Sequence, residues 1–138
     1  MCRKMISDKI IKVSEKKSSF TIENKSALTI EKIKIDGGLI KDEAQKRCDY
    51  VFVIPAKGKK QRVWYVELKG TDIKGATDQL VATLHNKALH YPSAEKICFV
   101  VTTRLPKHGA SVQERKISFK RAHRVKLEIK KSPTTVFV

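Results

Sequence analysis

Residues 50–68 constrain the fold more than any other stretch. Tyr50-Val51-Phe52-Val53-Ile54 and Arg62-Val63-Trp64-Tyr65-Val66-Glu67-Leu68 are rich in β-branched and aromatic residues. They are separated by Pro55-Ala56-Lys57-Gly58-Lys59-Lys60, a polar connection of hairpin length, so an antiparallel strand pair is expected. After Gly70, the apolar residues Ile73, Ala76, Leu80, Leu84 and Ala88 recur at spacings of three or four up to Pro92, which predicts a helix over 72–91. Lys96-Ile97-Cys98-Phe99-Val100-Val101 then reads as a strand buried on both faces, as at the centre of a sheet covered by helices. The sheet is therefore expected to be mixed.

The flanking segments extend this pattern. Residues 3–16 set Met5, Ile6, Ile10, Ile11 and Val13 among charges in a loosely helical spacing and predict a short N-terminal helix. Phe20-Thr21-Ile22 and the alternating run from Leu28 to Ile35 are rich in β-branched residues and predict strand, closed by the Asp36-Gly37-Gly38 turn. Ala110 to Ala122 predicts a second helix and Val125 to Ile129 a last strand; Val136-Phe137-Val138 is too short to assign. No repeat, linker or low-complexity block divides the chain, so residues 1–138 are expected to form a single domain. Its class is mixed α/β (α+β), a central mixed sheet flanked by helices in the order α-β-β-β-α-β-α-β.

A chain of 138 residues buries roughly two-thirds of its unfolded surface, so a core forms without disulfides or a structural metal. Cys2, Cys48 and Cys98 lack CxxC or Cys/His ligand spacing. Cys48 and Cys98 read as buried thiols and Cys2 carries no signal. The longest stretch without Asp, Glu, Lys or Arg is Gln79 to Asn86, far short of the ~20 apolar residues of a membrane span. The first residues have no apolar run of signal-peptide length, so a cytoplasmic location is expected.

Charge narrows the partners. Thirty Lys and Arg against fourteen Asp and Glu leave a net charge of +16, which points to a polyanion. Half of that excess lies between Arg104 and Lys131, where Arg115, Lys116, Lys120 and Arg121 fall on the predicted second helix. Lys57, Lys59, Lys60 and Arg62 form a second cluster at the hairpin loop. Both suit a phosphate backbone; each lysine alone also suits a solvated surface. Peripheral membrane attachment fits poorly, because the 72–91 helix has few Lys and no Arg.

Alternation along a strand puts Val63, Tyr65, Glu67 and Lys69 on one face. A carboxylate and an ammonium ending an apolar strand face either fray into solvent as an ion pair or form a site. Asp49 immediately precedes the partner strand, and a hairpin brings the start of its first strand beside the end of its second, so Asp49 and Glu67 meet. Two carboxylates a few ångströms apart repel unless a divalent cation lies between them, and Mg²⁺ is commonly held by one or two carboxylates, waters and phosphate. Lys69 would then orient or deprotonate an attacking water or stabilise charge on a phosphate.

Asp49, a gap of seventeen residues and Glu67-Leu68-Lys69 between two apolar strands resemble the D…E-x-K signature of the PD-(D/E)xK nuclease superfamily. Cys48 stands where that family often has Pro. The resemblance covers about residues 28–103 and implies a restriction-endonuclease-like core of Holliday-junction-resolvase size. It further implies a Mg²⁺ cofactor, with Mn²⁺ as substitute, held by Asp49, Glu67 and the Leu68 carbonyl. Several branches, among them archaeal Holliday-junction resolvases and lambda-type exonucleases, have a Gln on the following helix, and Gln79 occupies such a position; a solvated helix residue is the alternative. For the further acidic residue of that family, Glu15, Glu31 and Asp36 are candidates, Asp36 as a turn residue first and a ligand second.

Trp64 and Tyr65 point to opposite faces, so at least one belongs to the core rather than to base stacking. His85, His90, His108 and His123 show neither HxH nor HExxH spacing. The expected function is metal-dependent endonucleolytic hydrolysis of DNA, with specificity left to DNA shape, a homodimer or a partner protein. The alternative is a non-catalytic, basic nucleic-acid-binding module.

Overall fold

The computed structural model describes residues 3–35, 48–56, 60–68, 71–105 and 109–138. The strands are β1 (Arg3–Ile6), β2 (Ile10–Glu15), β3 (Ser18–Glu23), β4 (Ile30–Lys34), β5 (Tyr50–Ile54), β6 (Arg62–Leu68), β7 (Glu95–Thr102), β8 (Lys126–Lys131) and β9 (Thr134–Phe137). The helices are α1 (Ile73–Leu84) and α2 (Gly109–His123), with a 3₁₀ turn at Lys87–Leu89. A six-stranded sheet runs β1-β4-β5-β6-β7-β8, and a three-stranded sheet runs β2-β3-β9. The fold is thus mixed α/β, as expected. Among the described residues no helix is long and apolar enough to cross a membrane.

The large sheet is mixed because of its connections. The short link from β5 to β6 closes an antiparallel hairpin, with Val51 opposite Tyr65. The links through α1 and α2 bring β7 parallel to β6 and β8 parallel to β7. Every β5 residue and every β6 residue except Arg62 is buried. One face, with Val51, Val53, Val63, Tyr65, Cys98 and Val100, packs against Ile73, Ala76 and Leu80 of α1 and Phe119 of α2. The other face, with Phe52, Trp64, Val66, Phe99 and Val101, is covered by Ile11, Val13, Phe20 and Ile22 of the small sheet. Trp64 and Tyr65 are both core residues, on opposite faces.

Residues 3–16 correct the sequence reading, since β1 and β2 stand in place of the expected helix. In β2 the decisive period is two: Ile11 and Val13 are buried while Ile10, Lys12 and Ser14 are exposed. β-Branched residues favour that arrangement once a facing strand exists, and β3 supplies it through Ile11 opposite Ile22 and Val13 opposite Phe20. The helix expected to reach Tyr91 ends at Leu84. There the Asn86 side chain accepts the Ala88 N–H at 2.9 Å and restarts the backbone as a 3₁₀ turn. The C-terminal residues left unassigned contain β9, which pairs parallel with β3.

The β2–β3 loop is two residues long, since Glu15 pairs with Ser18. Its residues Lys16 and Lys17 both have positive φ, 49° and 65°. Those are the signs of a type I′ turn, for which Asn-Gly is the usual solution. An L side chain in that region costs roughly 1–2 kcal/mol per residue, so the turn carries two strained lysines.

Candidate functional site

Asp49 sits just before β5 and is held by backbone on both sides. Its N–H donates to the Val66 carbonyl at 3.2 Å, and its own carbonyl accepts the Ile35 N–H at 2.9 Å. Carrying the β5–β6 register one step beyond Tyr50 and Val66 sets Asp49 opposite Glu67. Facing positions of an antiparallel pair hold their Cβ atoms ~4.5–5.5 Å apart. Glu67, two residues on from Tyr65 in β6, takes the face that carries the helices, and Cys48, beside Asp49, belongs to the core on that face.

The two carboxyl groups are 4% and 1% exposed. The Leu68 N–H donates to Asp49 Oδ2 at 2.8 Å. Burial pushes Asp49 above the ordinary carboxylate range. The Leu68 N–H, the nearby Lys16 ammonium and the Glu67 hydrogen bond oppose the rise, and the charge of Glu15 adds to it. Two buried acids brought together are stabilised by a proton or a divalent cation between them. The donors are hard oxygens at the end of one strand pair, which fits Mg²⁺. Among the described residues no three His, Cys, Asp or Glu side chains converge, so the remaining positions around such an ion fall to water, carbonyl and substrate oxygens.

Thr83 of α1 fixes the approach to Asp49. Its hydroxyl accepts the Cys48 N–H at 2.7 Å and donates to the Gln79 carbonyl at 2.9 Å. The helix that carries Gln79 and the residue preceding Asp49 are thereby tied through one buried oxygen. Thr83→Val leaves the buried Cys48 N–H without its acceptor and is expected to cost about 1–3 kcal/mol, which Thr83→Ser restores. Chemical denaturation of the three proteins checks this.

Glu15 and Glu31 separate cleanly. The charge of Glu15 acts on both Asp49 and Tyr50, which places the β2–β3 loop beside the pair. Glu31 lies opposite Val53, away from Asp49 along β5, and pairs with Arg3 at 3.2 Å, so it is no ligand here. Asp36 lies outside the described residues, as do Lys57, Lys59, Lys69 and His108. Gln79 is half-buried, one position from the core residue Leu80. Cys48 and Cys98 are buried free thiols, as expected. Burial pushes both well above the ordinary thiol range, which leaves them un-ionised near neutral pH.

The expected backbone-binding residues divide. Arg62 opens β6, five residues before Glu67, ~16 Å away along the strand; the hairpin loop with Lys60 is thus at the far end from the carboxyl pair. Arg115, Lys116, Lys120 and Arg121 all lie on α2. Arg115 lines a groove of about 570 Å³ between the helices, together with Asp78, Glu114 and His123. Lys120 and Arg121 are exposed in the last turn, where cations also complement the helix dipole. Lys116 reaches Glu128 of β8 at 3.5 Å, and Lys126 and Lys130 reach the same carboxylate at 3.0 and 3.7 Å. Partial burial opposes ionisation of Glu128, but the Lys126 hydrogen bond and the surrounding ammonium groups outweigh it and hold its pKa below the ordinary value. His85 and His123 bring their rings within 6.1 Å where the two helices end.

Sequence reasoning passed over Thr83, Glu128 and the Lys16-Lys17 turn. Thr83 left a faint signal, a hydroxyl four residues after Gln79 on a helix. Comparison with known proteins finds no matching family model, no matching curated protein and no matching solved structure.

Proposed function

We propose that this protein is a metal-dependent endonuclease that hydrolyses phosphodiester bonds in DNA. The observation that carries the reading is the buried, facing pair of Asp49 and Glu67 at the end of the β5–β6 hairpin. Burying two acids side by side in an apolar sheet is destabilising unless the site serves a cation or a proton. The strand, loop, strand and helix order around the pair is the context in which the D…E-x-K signature was read. Asp49 and Glu67 would hold Mg²⁺, with the Leu68 carbonyl beside them. A bound Mg²⁺ would supply Lewis acidity and favour an ionised water near neutral pH. Lys69, next along the chain, would orient that water or neutralise charge on the phosphate, and Gln79 would steady the substrate from α1. The cations of α2 and β8 would hold the phosphate backbone, with a recognition role for a second copy of the chain or another protein.

One observation favours a non-catalytic binding module: Lys116, Lys126 and Lys130 are gathered around a single carboxylate, which makes a basic surface with no need of a metal. A cleavage assay separates the two readings. Linear, nicked, branched and single-stranded DNA are incubated with the protein in Mg²⁺, Mn²⁺ or EDTA. Cleavage of any of them that depends on metal supports the nuclease. Salt-sensitive binding with no cleavage under any condition leaves the binding module.

A further inference from the structure

The β2–β3 turn presents two lysines where the backbone favours Asn-Gly or glycine. Lys16 and Lys17 are both exposed at positive φ, on a two-residue loop that fits type I′ geometry. Strain kept at one place on a surface points to a function of the side chains that keep it. The location of the turn is fixed independently. The Ser19 N–H donates to Ser132 Oγ at 2.9 Å, and the Ser132 N–H donates to the Thr102 carbonyl at 2.6 Å. Thr102 ends β7, one step past the residue paired with Leu68, so the tip of the hairpin stands at the end of the large sheet where Asp49 and Glu67 lie.

We infer that the Lys16-Lys17 turn is a phosphate clamp, which grips the DNA backbone beside the bond presented to Asp49 and Glu67. This inference rests on the nuclease reading for its substrate. Three features carry it. The turn belongs to the small sheet, on the face opposite the helices, and Lys130 and Lys131 of β8 lie beside Val101 and Thr102 at the same sheet end, so DNA lying across that end meets cations from the turn and from β8. The Ser19–Ser132 and Ser132–Thr102 hydrogen bonds set the turn at the end of the large sheet that holds the carboxyl pair. The small sheet is packed firmly, with the Phe20 ring 5.1 Å from Phe99 and 6.2 Å from Phe52, so the turn is held in place on a rigid support. A clamp of this kind reads the backbone and no base, and it positions the strand rather than reacting with it.

The test exchanges the turn for the one its geometry favours. Lys16→Asn with Lys17→Gly is expected to raise the melting temperature by relieving the strain, so loss of fold cannot explain a loss of function. Binding to a labelled 24-base-pair duplex is followed by anisotropy in EDTA from 50 to 300 mM salt, beside a Lys4→Gln with Lys12→Gln protein that loses the same charge from exposed positions on β1 and β2. The turn variant is expected to bind about tenfold more weakly at 150 mM salt, with the slope of log K against log salt smaller by about two. The control is expected to change far less. A turn variant that binds like the wild type, or a control that loses as much, overturns the clamp. Because no metal is present, the result stands apart from catalysis. A wild-type protein that binds through the turn but cleaves nothing in any metal overturns the nuclease and leaves the clamp. A wild-type protein that cleaves with kcat/KM unchanged in the turn variant does the reverse.

Discussion

Glu67→Gln and Asp49→Asn are each expected to lower metal-dependent cleavage by about a thousandfold, the rate equivalent of ~4 kcal/mol of lost charge stabilisation. Both variants are also expected to melt at or above the wild-type temperature at neutral pH without metal. A neutral amide keeps an acceptor for the Leu68 N–H while removing a charge whose burial opposes folding. The sign of the pH dependence follows from Asp49. Its folded pKa lies above the unfolded one, so its stabilising contribution is fully present below the ordinary carboxylate range and is lost as the pH rises through the raised value. Wild-type protein is therefore expected to lose more stability than Asp49→Asn between acid and neutral pH. Mg²⁺ should restore the difference at neutral pH and leave the variants unmoved, by ~2.7 kcal/mol at a hundred times its Kd. Thermal melts over a pH series with Mg²⁺ or EDTA measure all of this. A variant that cleaves at the wild-type rate, or one that still melts higher in Mg²⁺ to the wild-type extent, would remove the pair from the site.

Phe20→Ala is expected to cause the largest loss of stability, about 3–5 kcal/mol. Phe20 is fully buried and its ring meets both Phe52 and Phe99, so it is the principal anchor of the small sheet on the large one. Its removal leaves a cavity between two sheets that cannot close without moving β3. Urea denaturation gives the number directly. A loss below about 1 kcal/mol would mean that the small sheet contributes little to the core. The same variant should also loosen the β2–β3 turn from the carboxyl pair, so DNA binding in EDTA is expected to weaken with it.

The central elements were legible because local and tertiary demands coincide there. β5, β6 and β7 are buried on both faces, so their apolar runs need no partner to be recognised, and α1 shows its core stripe at Ile73, Ala76 and Leu80. The facing of Asp49 and Glu67 followed from the hairpin alone. Residues 3–16 were misread because Ile6, Ile10, Ile11 and Val13 satisfy a loose helical spacing as well as a strand period. The choice between them is made by β3 and β4, which no local pattern reveals. β9 was illegible for the same reason, being a short strand defined by a parallel partner far along the chain. Thr83 and Glu128 act through residues brought close only by folding: Cys48 across the sheet end, and lysines from both α2 and β8.

The bond between Ser19 and Ser132 joins residues 113 positions apart, and the β3–β9 ladder runs directly on from it. Contacts so distant in sequence carry a high closure entropy and form late, so this seam is expected to be rate-limiting in folding. Until it closes, a chain with its large sheet already formed still exposes Phe52, Trp64 and Phe99 to solvent on one side. The stretch of surface nearest the carboxyl pair is thus also the last to mature, and newly made molecules acquire their aggregation resistance and their proposed grip on DNA in the same step.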